Sequence, residues 1–273
     1  MTGTGAAPLA HPPRRVTAGA TTTRPTLRLE RSLLRELPEG RRVIAAVDEV
    51  GRGALAGPVS VGVVLVHEQV GAAPTGVRDS KLLTAAARER LVPRLRRWAP
   101  AYGVGHASPA EIDEHGIMAG LRLAARRALD RTTAAGLIPT LVLLDGNHDW
   151  FTEPDRVGLL GAWDDEVLPV RTMVKADVRC SSVAAASVLA KVERDAIMVG
   201  LAASGDVAED YGFADNKGYA APGHLDALSR LGPTVHHRRS WRLPGVLPQG
   251  GVMEDDGGPA RVPDVDDEEE QGR

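Results

Sequence analysis

The sequence predicts an α/β domain: a mixed central sheet flanked by helices, with a C-terminal helical segment. Three observations carry this reading. Two β-branched runs of strand length, Val43 to Val50 and Val59 to Val66, stand on either side of the glycine-rich turn Gly51-Arg52-Gly53. Two shorter apolar runs, Leu141 to Leu144 and Val170 to Val174, follow later in the chain. Between and after them the apolar residues recur at helical spacing, which places helices over the sheet.

Taken in order, the first two strands form an antiparallel pair joined by a wide loop. Thr84 to Trp98 reads as a helix opened by a Thr cap and disturbed by Pro93. Tyr102 to Ala107 supplies a third strand. Ser108-Pro109-Ala110-Glu111 combines a Ser cap, a Pro in the first helical position and a Glu three residues after the cap, a strong helix start. Ile117 to Ala135 is a long amphipathic helix with Leu121, Ala125, Ala128 and Leu129 on one stripe. Ser182 to Leu201 is another, with Val188, Val192 and Val199 expected on one side and Ser187, Lys191 and Arg194 on the other.

Length and composition frame this domain. Of 273 residues, 43% are hydrophobic and 25% charged, enough apolar material for one core and enough charge for solubility. No apolar run approaches the roughly 18 residues of a membrane span. The first residues place basic groups after a weakly apolar stretch, the reverse of a secretory signal. The single cysteine, Cys180, has no internal partner for a disulfide, which fits a reducing compartment and makes a cytoplasmic location the expectation. Residues 1–40 are expected to be a disordered arm rich in Arg, Pro and Gly, residues 41–245 the folded domain, and residues 246–273 a disordered acidic tail.

Charge is unevenly spread. Residues 1–42 hold eight Arg against three Glu, residues 250–273 hold nine acids against two Arg, and the middle is close to neutral. A neutral core argues against indiscriminate coating of nucleic acid, and nine aromatic residues in all disfavour a single-strand binder built on stacked bases.

The chemistry concentrates where predicted strands end. Asp48 and Glu49 close the first, Asp145 follows the short run at 141–144, and Asp177 follows the run at 170–174. Acids at the ends of strands of one sheet can converge. Adjacent residues on a strand point to opposite faces, so Asp48 and Glu49 reach one site only if the following glycines re-aim the chain. Converged carboxylates raise one another's pKa unless a hard cation such as Mg²⁺ or Mn²⁺ neutralises them. Gly51, Arg52 and Gly53 offer exposed main-chain N–H groups beside a guanidinium, a cradle for phosphate.

Val47-Asp48-Glu49-Val50-Gly51-Arg52-Gly53-Ala54-Leu55-Ala56-Gly57-Pro58 resembles the opening signature of the type 2 ribonuclease H family, ribonuclease HII. Asp79-Ser80-Lys81, Glu111-Ile112-Asp113-Glu114, Leu144-Asp145-Gly146-Asn147 and Lys175-Ala176-Asp177 resemble later motifs of that family in the same order. The block from Ala185 to Asp195, then Tyr211-Gly212-Phe213, Lys217-Gly218-Tyr219 and His237-Arg238-Arg239-Ser240, complete a likeness that covers residues 43–242. Four positions depart from the pattern: Ala176 for Gly, Leu82 for a second Lys, Asn216 for His and Trp241 for Phe. None removes an acid, while the losses at 82 and 216 bear on substrate contacts.

The resemblance implies a ribonuclease H-like fold in which Asp48, Glu49, Asp145 and Asp177 are catalytic and bind the divalent metal, Mg²⁺ or Mn²⁺. It implies hydrolysis of the RNA strand of RNA–DNA hybrids and incision 5′ to ribonucleotides embedded in duplex DNA, leaving 3′-hydroxyl and 5′-phosphate ends, in support of ribonucleotide removal. It further implies that Gly51, Arg52 and Gly53 approach the ribose 2′-hydroxyl, that Tyr219 packs on the deoxyribose beyond the junction, that Ser80 and Lys81 contact phosphate, and that the protein is a monomer. A non-catalytic hybrid-binding module and a type 3 ribonuclease H are the alternatives. Four repelling acids near a polyanion speak against the first, and an arm too poor in helices and strands for a further folded domain speaks against the second.

The remaining polar groups carry plainer expectations. Cys180 reads as an inert, partly buried thiol, and His148 beside Asp149 as a solvated loop pair. His236, His237, Arg238 and Arg239 read equally as a phosphate contact or a structural cluster, and the acidic tail as a solubilising segment.

Overall fold

The computed structural model describes residues 24–152, 168–204 and 209–243. Five strands form one sheet in the order β3-β2-β1-β4-β5: β1 (Val43–Val50), β2 (Val59–His67), β3 (Ala101–Ala107), β4 (Leu141–Asp145) and β5 (Val170–Met173). β1, β2 and β3 are antiparallel neighbours, and β4 and β5 continue the sheet in parallel with β1. The alternation of β1 sorts its residues between two cores. Val43, Ala45 and Val47 pack beneath α3 (Pro109–Asp130), against Leu121, Ala125 and Leu129. Ile44 and Ala46 pack beneath α5 (Ser181–Ala202), against residues such as Val183 and Val188.

Glycines let both helices sit close to the sheet. A Cβ at Gly105 of β3 would lie 1.9 Å from the Ala124 carbonyl of α3, and one at Gly62 of β2 would lie 2.3 Å from the Ala186 carbonyl of α5. The start of α3 has the geometry its sequence predicts: Ser108 Oγ accepts the Glu111 N–H, and the Glu111 carboxylate accepts the Ser108 N–H. The helix begins ahead of Ile117 and turns a corner at Gly116, whose φ of 78° is open to glycine, so the two helical stretches read from the sequence form one kinked element. α2 (Ala85–Trp98) opens on the Thr84 cap and accommodates Pro93.

Packed structure also begins earlier than residue 41. Within the stretch read as an arm, α1 (Arg28–Glu36) buries Leu33 and Leu34 in the α5-side core. Its Glu30 is buried and accepts both the main-chain N–H and the hydroxyl of Ser182 at 3.0 and 2.8 Å, capping the start of α5. Residues 1–23 and 244–273, which include most of the arm and the acidic tail, lie outside the described residues. After α5 come α6 (Phe213–Asn216) and α7 (Pro222–Leu231), the expected C-terminal helical segment, gathered on a small cluster of Met198, Tyr211, Phe213 and Leu228.

The orientation of α5 differs from the amphipathic expectation. Residues 181–190 are buried on every side because the helix lies across the middle of the sheet, Arg194 is fully buried, and Val199 is exposed. Among the described residues no helix is long and apolar enough to cross a membrane.

Candidate active site

The acids occupy one end of the sheet, where β1 and β4 run in parallel. Asp48 extends the α5-facing register of β1 and is buried beside Ser187. Burial drives its carboxyl well above the usual range, the Ser187 hydroxyl draws it down, and Glu49, Asp145 and Asp177 push it up again. Glu49 takes the opposite face. Burial and Asp145 raise it, Arg52 and the indole of Trp150 lower it, and Arg52 Nη1 stands 3.9 Å from its Oε1. Among the described residues the buried Trp150 Nε1 has no partner at hydrogen-bonding distance, so its effect on Glu49 acts over a longer separation.

Asp145 closes β4, and its Oδ1 accepts the Ala176 N–H at 2.6 Å. Asp177 is not at a strand end as the sequence suggests. After β5 the chain turns through Lys175, whose φ of 59° is left-handed, and Asp177 lies in the short helix α4 (Ala176–Arg179). Burial raises its carboxyl to about 6, with Asp145 and Asp79 adding to the shift and Lys81 opposing it. The helical turn is what aims this acid back at β4.

Lys81 and Ser80 lie in a short 3₁₀ turn capped by Asp79, whose carboxylate accepts the Lys81 N–H at 2.9 Å. Burial works to lower the Lys81 ammonium, but Asp79, Asp48, Asp177 and Asp145 outweigh it and hold the ammonium above its ordinary value. Ser80 is buried, and its Oγ lies 2.9 Å from the Ser187 hydroxyl, within hydrogen-bonding distance, so it reaches the acids from behind, through Ser187. Ser187 was legible only as part of a polar stripe on α5; its place beside Asp48 follows from the packing of that helix.

Gly51 begins the turn after β1 at a φ of +84° and is buried, while Arg52 and Gly53 are exposed at its tip. Two fully buried arginines lie under this turn. Arg238 donates to the carbonyls of Gly51 and Arg52 at 2.6 and 2.7 Å, and Arg194 donates to those of Pro58, Lys217 and Ala56 at 2.9, 3.0 and 3.2 Å. Burial, with Arg194 nearby, draws the Arg238 guanidinium below its ordinary value. Tyr219 stands partly exposed at the rim, its ring centroid 5.8 Å from Lys191 Nζ and 5.3 Å from Arg194 Cζ.

The departures from the expected motifs have visible places. Asn216 bridges Tyr211 O and the Gly218 N–H, Leu82 is exposed, and Ala176 is buried under Asp145. His237 and Arg238 are buried and structural, whereas Arg239 is exposed. Cys180 is fully buried, which pushes its thiol up to about 12 and leaves it inert. Asp149 accepts the N–H groups of Phe151 and Thr152 in a turn of its own, beside an exposed His148.

Among the described residues no three acids, histidines or cysteines are gathered at metal-ligating distance. The donor chemistry nevertheless fits a hard divalent cation: carboxylate oxygens that repel one another, two of them buried, with their charge only partly offset by Lys81 and Arg52.

Sheet order, the helix on each face and the acids at one end define a ribonuclease H-like fold. The ribonuclease H2 of Pyrococcus horikoshii superposes with a TM-score of 0.52 at 27% identity, over 73% of this chain and 94% of that one. Bst-RNase HIII in complex with Mn²⁺ shares the fold with a TM-score of 0.56 at 21% identity, over 78% and 70% of the two chains. The sequence profile of ribonuclease HII matches residues 45–243, and the ribonuclease HII of Streptomyces coelicolor is 48% identical over 225 residues, 82% of this chain and 87% of the relative. The chain belongs to the ribonuclease HII family, hydrolases that cleave the RNA of RNA–DNA hybrids.

Proposed function

We propose that this enzyme, beyond cleaving hybrids, incises duplex DNA on the 5′ side of embedded ribonucleotides and leaves 3′-hydroxyl and 5′-phosphate ends. The observation that carries the reading is the adjacency of four electrostatically coupled acids to a turn whose carbonyls are drawn inward by buried arginines, leaving Arg52 and Gly53 exposed, with Arg52 beside Glu49.

Asp48, Glu49, Asp145 and Asp177 would hold Mg²⁺ or Mn²⁺. A divalent cation there would supply Lewis acidity at the scissile phosphate and lower the pKa of an attacking water. Lys81, kept charged by the surrounding acids, meets backbone phosphate, and Ser80 steadies the acid cluster through Ser187. Gly51, Arg52 and Gly53 read the 2′-hydroxyl through main-chain and guanidinium donors, and Tyr219 packs on the deoxyribose beyond it. A site built to bond a hydroxyl rejects a sugar lacking one by a large factor, because its polar groups then go unpaired. Specificity of this kind needs no sequence readout, which suits an enzyme acting as a monomer in cytoplasmic ribonucleotide removal.

The test is a labelled duplex with one ribonucleotide, incubated with Mg²⁺, Mn²⁺ or chelator and mapped at nucleotide resolution. A single metal-dependent cut 5′ to the ribonucleotide supports the proposal. Cleavage of long hybrids alone rules out the junction role of Gly51, Arg52, Gly53 and Tyr219.

A further inference from the structure

Arg194 is buried in the body of α5 with no acidic partner at salt-bridge distance among the described residues, a costly place for a charge. Its hydrogen bonds account for the choice. Nε donates to Pro58 and Nη2 to Ala56, both in the chain leaving the Gly51-Arg52-Gly53 turn, while Nη1 donates to Lys217, two residues before Tyr219. The same guanidinium lies 5.3 Å from the Tyr219 ring, and a Cβ at Gly51 would come within 2.0 Å of its Nε. The main chain adds to the link, since Leu55 and Ala56 both donate to the Gly218 carbonyl, at 2.8 and 3.2 Å. One side chain therefore touches both segments that face the sugar, and the planar fork spreads its donors in three directions to reach three separate carbonyls.

We propose that Arg194 is a positioning residue that sets ribonucleotide discrimination by locking the Gly51–Pro58 segment and Tyr219 into one rigid unit, without touching substrate itself. This rests on the junction reading given above. Arg238 serves only one half of the unit, because its carbonyl partners are Gly51, Arg52 and Gly57. Discrimination at a single hydroxyl depends on donors held in fixed relation to the sugar's far side, and small displacements of such a frame cost far more in rate than in binding. Cleavage within a continuous hybrid depends on that frame less, because every neighbouring sugar carries a hydroxyl.

The test compares wild type with Arg194→Lys, which keeps the charge and loses the fork, on a single-ribonucleotide duplex and on an RNA–DNA hybrid. The ratio of kcat/KM between the two substrates is expected to fall about tenfold, mainly through kcat on the duplex. The double variant Arg194→Lys/Tyr219→Ala is expected to show no lower ratio than Tyr219→Ala alone, because both changes disable one unit. Should Arg194→Lys fail to fold, Gly218→Ala parts the same two segments, since its Cβ would meet the Ala56 carbonyl at 2.4 Å, and the same fall in ratio is expected. Equal losses on both substrates, an unchanged ratio, or additive effects in the double variant overturn the proposal. Tyr219→Ala separates the two claims: if it leaves the ratio unchanged the junction reading itself fails, and if it lowers the ratio while Arg194→Lys does not, only the positioning role fails.

Discussion

The carboxylate of Asp145 accepts the main-chain N–H of Ala176 at 2.6 Å, tying the end of β4 to the helical turn that carries Asp177. The bond spends one oxygen of a proposed metal ligand on aiming another. Asp145→Asn keeps an acceptor oxygen for Ala176 but removes the charge. Hybrid cleavage is expected to drop at least about hundredfold while the melting temperature stays within a few degrees. Asp145→Ala loses activity to the same degree and in addition leaves the Ala176 N–H unsatisfied, a cost of about 1–3 kcal/mol that appears as a lower melting temperature.

Divalent metal and pH are expected to be linked through Asp177. Its folded-state pKa of about 6 lies above the unfolded value, so the stability it contributes is complete below about 4 and is lost as the pH climbs through about 6. A cation that neutralises the cluster recovers this loss. With Mn²⁺ at about 100 times its dissociation constant, binding adds about 2.7 kcal/mol, a rise of several degrees at pH 8. At pH 4.5, where protons compete for the same oxygens, the rise is expected to vanish, as thermal melts with and without chelator will show.

A buried histidine pair gives the opposite slope. The Thr234 N–H donates to His237 Nδ1, His237 Nε2 and His224 Nε2 are 3.0 Å apart, and His224 Nδ1 donates to the Tyr219 carbonyl, so His237 Nε2 is the donor between the rings and both are neutral. Burial, with His224 nearby, lowers His237 to about 4, so the stability of the neutral pair is full above about 6.5 and is lost as the pH falls toward 4. Protection of the Tyr219 amide, its exchange relative to the intrinsic rate at each pH, is expected to fall over that interval in wild type, and His237→Gln, which has no proton to gain, is expected to flatten the protection profile.

Much of this was legible from sequence because it is local. The β-branched runs, the Thr84 and Ser108 caps and the acids Asp48, Glu49 and Asp145 at strand ends need only periodicity and capping rules to be found, and the paired strands appear at the predicted positions. What escaped is tertiary. The arm composition around Leu27 to Leu37 hides a helix whose Glu30 caps Ser182, 152 residues away. The polar stripe of Ser187 and Arg194 on α5 reads as a solvated face until the helix is laid across the sheet, where those groups meet Ser80, Ala56 and Lys217. Asp177 belongs to a strand end by spacing alone, and only the left-handed Lys175 moves it one turn onward.

The capping box at α3 offers a stability test remote from the acids. Ser108→Ala removes the acceptor for the Glu111 N–H and is expected to cost about 1 kcal/mol, a melting shift of roughly 2–4 °C, with hybrid cleavage unchanged at 25 °C. Glu111 is held at about 2 chiefly by its hydrogen bond with Arg127, so its contribution persists above about 4.5 and is lost only as the pH falls through about 2.

Asp48, Glu49, Asp145 and Asp177 are proposed to act together as one metal-dependent catalytic centre. Its most direct test is the cleavage rate of a labelled RNA–DNA hybrid by wild type, Asp48→Asn and Asp177→Asn, each in Mn²⁺ and in chelator, with folding confirmed by circular dichroism. Activity is expected in wild type with metal only, with losses of at least about hundredfold in both variants. A folded Asp48→Asn enzyme that cleaves at the wild-type rate would contradict the proposal.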